Sequence, residues 1–387
     1  TYTAPGTPEL AWYSFTLRRQ DGRAVTLPER QLTVYEDTVT PDWFGRGVSY
    51  QIFPDRFCRS RIPDPAGMVG DRRVHESWAD TPDFLPDEQG EVRCRDFFGG
   101  DLPGIIGKLD YLQELGVTTL YLTPIFESAS NHRYNTADYR AIDPMLGTEE
   151  DFRALCRTAH ELGMHVILDL VPHTSDRHPW FLESMKGPDN EFSKRYVWTD
   201  NRSQCFDLKR PGGDQSSNIR AYILGVGARD GLCAVNYYTC QPCLNYGFEK
   251  ITDTYQSGTE SPEAIATREA IMDVMRFWLR MGCDGFRVDM AGTLVKNDPE
   301  GQGNVRLWRH FRDFLDREFP EAVMISEWGR PEFSLLAGFH MDFLLHNGPS
   351  HYMDLFRTEH PFFSREGRGD VSEFVRTYEA NAALTAG

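Results

Sequence analysis

Apolar positions between residues 100 and 330 alternate between two rhythms. In "TEEDFRALCRTAHELGMHVILDLVPHT", Phe152, Leu155, Cys156 and Ala159 recur at helical spacing behind Thr148 and Asp151, which stand at the separation of a capping box. Gly163 follows where a helix ends in a left-handed residue, and the dense apolar run "HVILDLVP" begins at once. The same order of cap, helix, glycine and strand returns in "DLPGIIGKLDYLQELGVTTLYLTPIF" and in "SPEAIATREAIMDVMRFWLRMGCDGFRVDMAG". In the latter, Ser261 and Pro262 open the helix, Ile271, Val274, Met275, Trp278 and Leu279 form one stripe, and Gly282 closes it. A fourth unit, "NVRLWRHFRDFLDREFPEAVMISEWG", ends in a strand at 323–327, and "VSYQIF" before these and "FHMDFLLH" after them bring the strands to about six.

Such strands are too apolar for a sheet with one wet face, and their alternation with helices predicts parallel βα units. The expected fold is α/β, a (β/α)8 TIM barrel of which about six strands lie in this chain. A doubly wound sheet is the runner-up; the lack of a glycine-rich phosphate loop after an early strand weighs against nucleotide binding. Residues 1–42 differ in kind. "LAWYSFTLRRQDGRAVTLP" alternates and turns at Asp21-Gly22 as a hairpin does, so it reads as the tail of an N-terminal β-sandwich module. The barrel is then expected over 43–387, with an insertion around 174–262.

Charge narrows the partners. With 41 lysines and arginines against 58 aspartates and glutamates, the net charge of −17 repels nucleic acid and anionic lipid. No run of about 18 apolar residues and no basic stretch followed by an apolar one marks a membrane span or signal peptide. Eight cysteines are scattered, and Cys156 and Cys283 fall in core elements, which suits reduced thiols and a cytoplasmic setting. Cys240 and Cys243 form a CxxC without the second pair that a zinc site needs, so no metal-ligating residues are assigned.

Polar residues stand at the C-terminal ends of the predicted strands: Asp55 and Arg56, then Asp169, Asp289 and Glu327. Active sites of barrel and open α/β folds open at that edge. On one strand, Gly285, Arg287 and Asp289 share a face. The arginine holds Asp289 ionised, whereas Glu327, among apolar neighbours and with no cation adjacent in sequence, is expected to keep its proton near neutral pH. One charged and one protonated carboxyl on adjacent strands suit glycosidic-bond cleavage. The bland alternative is an inward ion pair that merely plugs the barrel.

With these residues in place, the chain resembles glycoside hydrolase family 13, the α-amylase family, and most of all its neopullulanase, maltogenic amylase and cyclomaltodextrinase branch. The resemblance rests on "VSYQIFPDRF", "FFGGDLPGIIGKLDYLQELGVTTLYLTPIFES", "NHRYNTADY", "QPCLNYGF", "GFRVDMAG" and "ISEWG" in that order, over roughly 42–350. It implies Asp289 as nucleophile, Glu327 as general acid and base, and Arg287 as the group that keeps the nucleophile charged. It further implies that His173 hydrogen-bonds the sugar, that Tyr134 is a stacking platform, and that Asp169, Asn245 and Trp328 contribute to substrate binding.

The activity so implied is retaining hydrolysis of α-glucosidic bonds in maltodextrins or pullulan. A transglycosylase or glucan isomerase, and a non-catalytic glucan-binding relative, are the alternatives. Many members bind calcium, but Pro172 stands where an asparagine ligand is usual, which argues against calcium there. The family's His-Asp pair at a seventh strand has no match, since "LLHN" at 344–347 belongs to the sixth. The expectation is therefore a fragment, completed by another segment or a complementing chain, and the resemblance also suggests a homodimer.

Overall fold

Six strands form one sheet in the order in which the chain makes them. They are β1 (Val48–Ile52), β2 (Val117–Leu122), β3 (His165–Leu170), β4 (Gly285–Val288), β5 (Val323–Ser326) and β6 (Met341–Asp342). Every neighbouring pair is parallel. A doubly wound sheet reverses its strand order at a switch point, and among the described residues this one does not, which sets aside the runner-up fold. The sheet is that of a (β/α) barrel. The computed structural model describes residues 9–19, 21–34, 40–88, 92–200, 222–225, 228–237, 240–343, 351–355 and 371–385; Cys205 and "LLHN" lie outside them.

Helices connect the strands as the apolar periodicity predicts. Between β1 and β2 lie α1 (Leu102–Ile106) and α2 (Leu109–Glu114), before β3 α3 (Glu149–Glu161), before β4 α4 (Pro262–Met281), and before β5 α5 (Gln302–Glu318). The capping box on α3 is closed from both sides: Asp151 N donates to Thr148 Oγ1 at 3.2 Å and Thr148 N to Asp151 Oδ2 at 2.8 Å. These bonds satisfy amides that the first turn leaves without partners. Ser261 caps α4 at 3.3 Å, and Gly163 and Gly282, with φ of 75° and 118°, turn the chain from helix into strand as L-residues with a Cβ rarely do.

The two faces of the strands go to different cores. Leu120, Leu122, Val166, Leu168, Phe286, Val288 and Met324 face outward and pack on Phe152 and Leu155 of α3, Val274 and Trp278 of α4, and Trp308 and Phe311 of α5. Each such side chain contributes about 1.5–3 kcal/mol on burial. The alternate residues Tyr121, Ile167, Val323 and Ile325 form a separate inner cluster closed by Phe44. Between β3 and α4 the chain builds an antiparallel sheet of Trp198–Thr199, Leu232–Ala234 and Tyr222–Leu224. Near the N-terminus Thr16–Arg18 pairs antiparallel with Ala24–Thr26 around Asp21-Gly22, and Glu9–Tyr13 with Arg30–Val34. No helix among the described residues is long and apolar enough to cross a membrane.

Candidate active site

Strand register sets the site. Asp169 on β3 lies level with Arg287 on β4, and Arg287 level with Ile325 on β5, so a charged layer caps the apolar inner cluster at the strands' C-terminal ends. Arg287 Nη1 donates to Asp169 Oδ1 at 2.9 Å and to Asp289 Oδ1 at 2.8 Å, while Nη2 lies 2.8 Å from Glu327 Oε1. One buried guanidinium therefore faces three carboxyls. This corrects the sequence expectation for Glu327: no cation adjoins it in the chain, yet Arg287 reaches it across the β4–β5 pair.

The carboxyls are not equivalent. Burial would raise Asp289, but the hydrogen bond from His173 and the charge of Arg287 outweigh it and hold Asp289 at about 2. Burial, followed by the negative charge of Asp289, pushes Glu327 up to about 7 against the pull of Arg287. Asp169 is pushed to about 6 by burial, again opposed by Arg287. Its Oδ2 accepts hydroxyl protons from Tyr121 at 2.5 Å and Tyr134 at 2.8 Å. Both phenols are raised, by burial and then by Asp169, and so stay neutral donors.

The backbone orients Glu327. Met290, directly after Asp289, adopts a left-handed conformation at φ 49°, and its N–H donates to Glu327 Oε2 at 3.0 Å. A non-glycine residue held there is strained, as is common at functional sites. On the far side, Asp342 on β6 gathers the turn that follows Glu327: Oδ1 accepts from Trp328 N at 3.0 Å and Gly329 N at 3.1 Å, and Oδ2 from Arg330 N at 2.8 Å.

His173, 2 % exposed, places Nε2 3.3 Å from Asp289 Oδ2 and 3.0 Å from Asn236 Nδ2. That nitrogen has either one proton to give or one lone pair to offer, so it serves one partner at a time. Asn236 Oδ1 in turn faces the buried ammonium of Lys296 at 3.5 Å. Tyr134 stacks on His132 at 5.9 Å and lies under the Arg287 guanidinium. Trp328 stacks on Phe333 at 6.1 Å, over Gly292, where a Cβ would sit 2.2 Å from the indole nitrogen.

Two residues singled out in the sequence have other neighbours. Asn245 is taken up by local backbone, donating to Lys194 O at 3.1 Å and accepting from Gly247 N at 3.0 Å, as a turn-capping asparagine does. Asp55 is fully buried under Phe98 N and Gly99 N, at 3.0 and 3.1 Å. Conversely Tyr121, Asn236, Lys296 and Asp342 were not foreseen. Asp342 was accessible to the strand-end rule that selects Asp169, Asp289 and Glu327; Asn236 lies in a loop without periodicity. For calcium, Pro172 offers no side-chain ligand and its carbonyl accepts the Tyr246 hydroxyl at 2.9 Å, so the residues do not fit the ion at that place.

Comparison with known proteins bears on this arrangement. The model of the alpha-amylase catalytic domain matches residues 51–335. The chain is 35% identical over 330 residues to an amylopullulanase of Thermoanaerobacterium saccharolyticum, covering 79% of this chain and 23% of the relative. It is 33% identical over 290 residues to neopullulanase 2 of Thermoactinomyces vulgaris, covering 74% and 40%. It thus spans well under half the length of these curated relatives. Among solved structures, the type III pullulan hydrolase of Thermococcus kodakarensis superposes with a TM-score of 0.55 at 27% identity, over 86% of this chain and 53% of that one. The parallel barrel sheet, the carboxyls at its C-terminal edge and the catalytic-domain match over most of the length lead to one assignment: the chain belongs to the alpha-amylase family.

Proposed function

We propose that the protein hydrolyses α-glucosidic bonds in maltodextrins or pullulan with retention of configuration, Asp289 attacking the anomeric carbon and Glu327 protonating the departing oxygen. The observation that carries this reading is Arg287 shared between a carboxylate held at about 2 and a carboxyl pushed to about 7. Glycosidases need that division of labour. Both carboxyls lie 2.8 Å from the one Arg287 guanidinium, which keeps them near each other as a retaining mechanism needs. Asp289 then forms a glycosyl-enzyme ester, and Glu327, now deprotonated, draws a proton from the water that cleaves it.

In this reading His173 meets a sugar hydroxyl, the buried Asp169 acts behind it by holding Arg287 and Tyr134 in place, and Tyr134 and Trp328 border the cleft. The names of the relatives, pullulan-acting enzymes among them, support an α-glucan substrate. Domain limits at 1–42 and 43–387 with an insertion around 174–262 belong to the same proposal. Both β1 and β6 have one paired edge among the described residues, so further strands of the protein are proposed to close the barrel; a homodimer and a cytoplasmic location complete the reading, the latter supported by seven described cysteines that are free thiols. The test is the anomer first released from a maltooligosaccharide by the intact protein, followed by NMR. Initial α-product supports retention by Asp289; initial β-product eliminates it.

A further inference from the structure

A second constellation occupies the opposite, N-terminal end of the strands. His160 stands in the last turn of α3, His165 opens β3 and Asp284 immediately precedes β4. One ligand atom from each falls within 4.8 Å of the others, the single convergence of three such groups among the described residues. His160 Nε2 is 2.8 Å from Asp284 Oδ2. His165 Nδ1 lies 3.3 Å from Asp284 Oδ1, yet this buried nitrogen makes no hydrogen bond. A buried ring nitrogen without a well-aligned hydrogen bond is costly, and here it is turned toward a carboxylate and a second imidazole.

The ligands are held from outside the cluster. Val166 N donates to Asp284 Oδ2 at 2.7 Å, fixing the carboxylate. Trp43 stacks on the His165 ring at 4.1 Å and 17°, and its own indole N–H is anchored on Glu321 O at 3.1 Å. Outer contacts of this kind orient metal ligands. The His160 side chain is 40% exposed, which leaves an entry path from solvent.

We propose that His160, His165 and Asp284 bind one divalent ion of the zinc class, with water completing the coordination. Two imidazoles and a carboxylate suit zinc and its transition-metal neighbours; calcium and magnesium take oxygen ligands almost alone. The ion takes the place of the proton shared by His160 and Asp284 and gives His165 Nδ1 a well-directed partner. It ties the end of α3 to β3 and β4 at the face of a barrel that serves stability, remote from Arg287.

The experiment uses tag-free protein stripped with a chelator and titrated with zinc chloride by calorimetry, with melting curves on either side. One ion per chain at micromolar affinity or better and a melting temperature raised by a few degrees are expected. His160→Gln and His165→Gln should each weaken binding by at least about tenfold and remove the thermal gain. Cobalt in place of zinc should give visible absorption that the same variants lose. No uptake by the wild type at a tenfold excess of zinc, or variants that bind as the wild type does, overturns the proposal. Should either variant fail to fold, the cobalt spectrum of the wild type decides alone: absorption of a four- or five-coordinate nitrogen–oxygen site upholds the proposal and its absence overturns it.

Discussion

Two buried arginine–carboxylate clusters in this molecule have opposite charge ratios. At the strand ends, Arg287 alone faces Asp169, Asp289 and Glu327. Beside the barrel, Asp143 alone faces two arginines, Arg72 in a two-pronged pair at 2.8 Å and Arg133 at 3.4 Å, all three side chains fully buried. Phe97 lies under both guanidinium groups. With cations in excess, burial cannot keep a proton on the carboxyl: Asp143 is held below the ordinary range by Arg133 first and then Arg72. With carboxyls in excess, one guanidinium cannot hold all three ionised, and a proton stays in the group. The cation-rich cluster keeps its carboxyl ionised; the carboxyl-rich one keeps a protonated carboxyl beside an ionised one, as the proposed chemistry requires.

The sharpest way to break the comparison is to neutralise its proposed nucleophile. Asp289→Asn in the intact protein should lower maltodextrin turnover by about 10⁴-fold or more, since a group that forms the covalent bond has no substitute. The fold should survive, because the amide keeps the shape of the carboxylate. Near wild-type turnover would mean that the three-carboxyl cluster is a plug. The counterpart is Arg72→Met, which removes the two-pronged pair and leaves Asp143 with the single, longer contact to Arg133. Breaking a buried pair from one side costs about 3–5 kcal/mol, so chemical denaturation should show a loss of that order while turnover per folded molecule stays within a few-fold. Equal damage to stability and turnover would erase the distinction between the clusters.

A smaller effect sharpens the difference through pH. Glu327 must carry its proton to act as the acid, so turnover should fall as pH rises through about 7, and the acid limb set by Asp289 near 2 should be hidden by unfolding. The pH profile of kcat/KM measures this. A basic limb unchanged in an enzyme whose Glu327 has been replaced by aspartate would assign it to another group.

These clusters also show what a sequence can reveal. Helix stripes and apolar runs are local, so α3, α4 and β2 to β5 follow from spacing alone. Arg287, Asp289 and Glu327 were legible because a charge in an apolar strand end has few structural uses. The link from Arg287 to Glu327 was not, since the two meet only through strand register. Nor was Arg72 with Asp143, 71 residues apart in the chain, where nothing periodic connects them. Asn245 shows the opposite limit: a motif fixes the residue type, while the contacts its amide makes with Lys194 and Gly247 are set by local backbone that spacing does not reveal.

The smallest expected effect is thermodynamic and has opposite signs in the two clusters. A carboxyl raised on folding, as Glu327 is from 4.5 to about 7, contributes stability that is fully present below its unfolded value and lost as pH rises through about 7. At pH 8 the wild type must ionise a half-buried group beside Asp289, and Glu327→Gln removes that cost. We expect the variant to melt a few degrees higher than the wild type at pH 8, about 1–2 kcal/mol once partial exposure is allowed for, with a much smaller gain at pH 5. Asp143 behaves in reverse: its carboxyl is lowered, so its contribution holds above the unfolded value and disappears as pH falls through the folded one. Paired melting curves of the wild type and Glu327→Gln at the two pH values separate these cases. An equal gain at both would show that glutamine merely packs better, and that the surplus of carboxyls around Arg287 stores no proton at all.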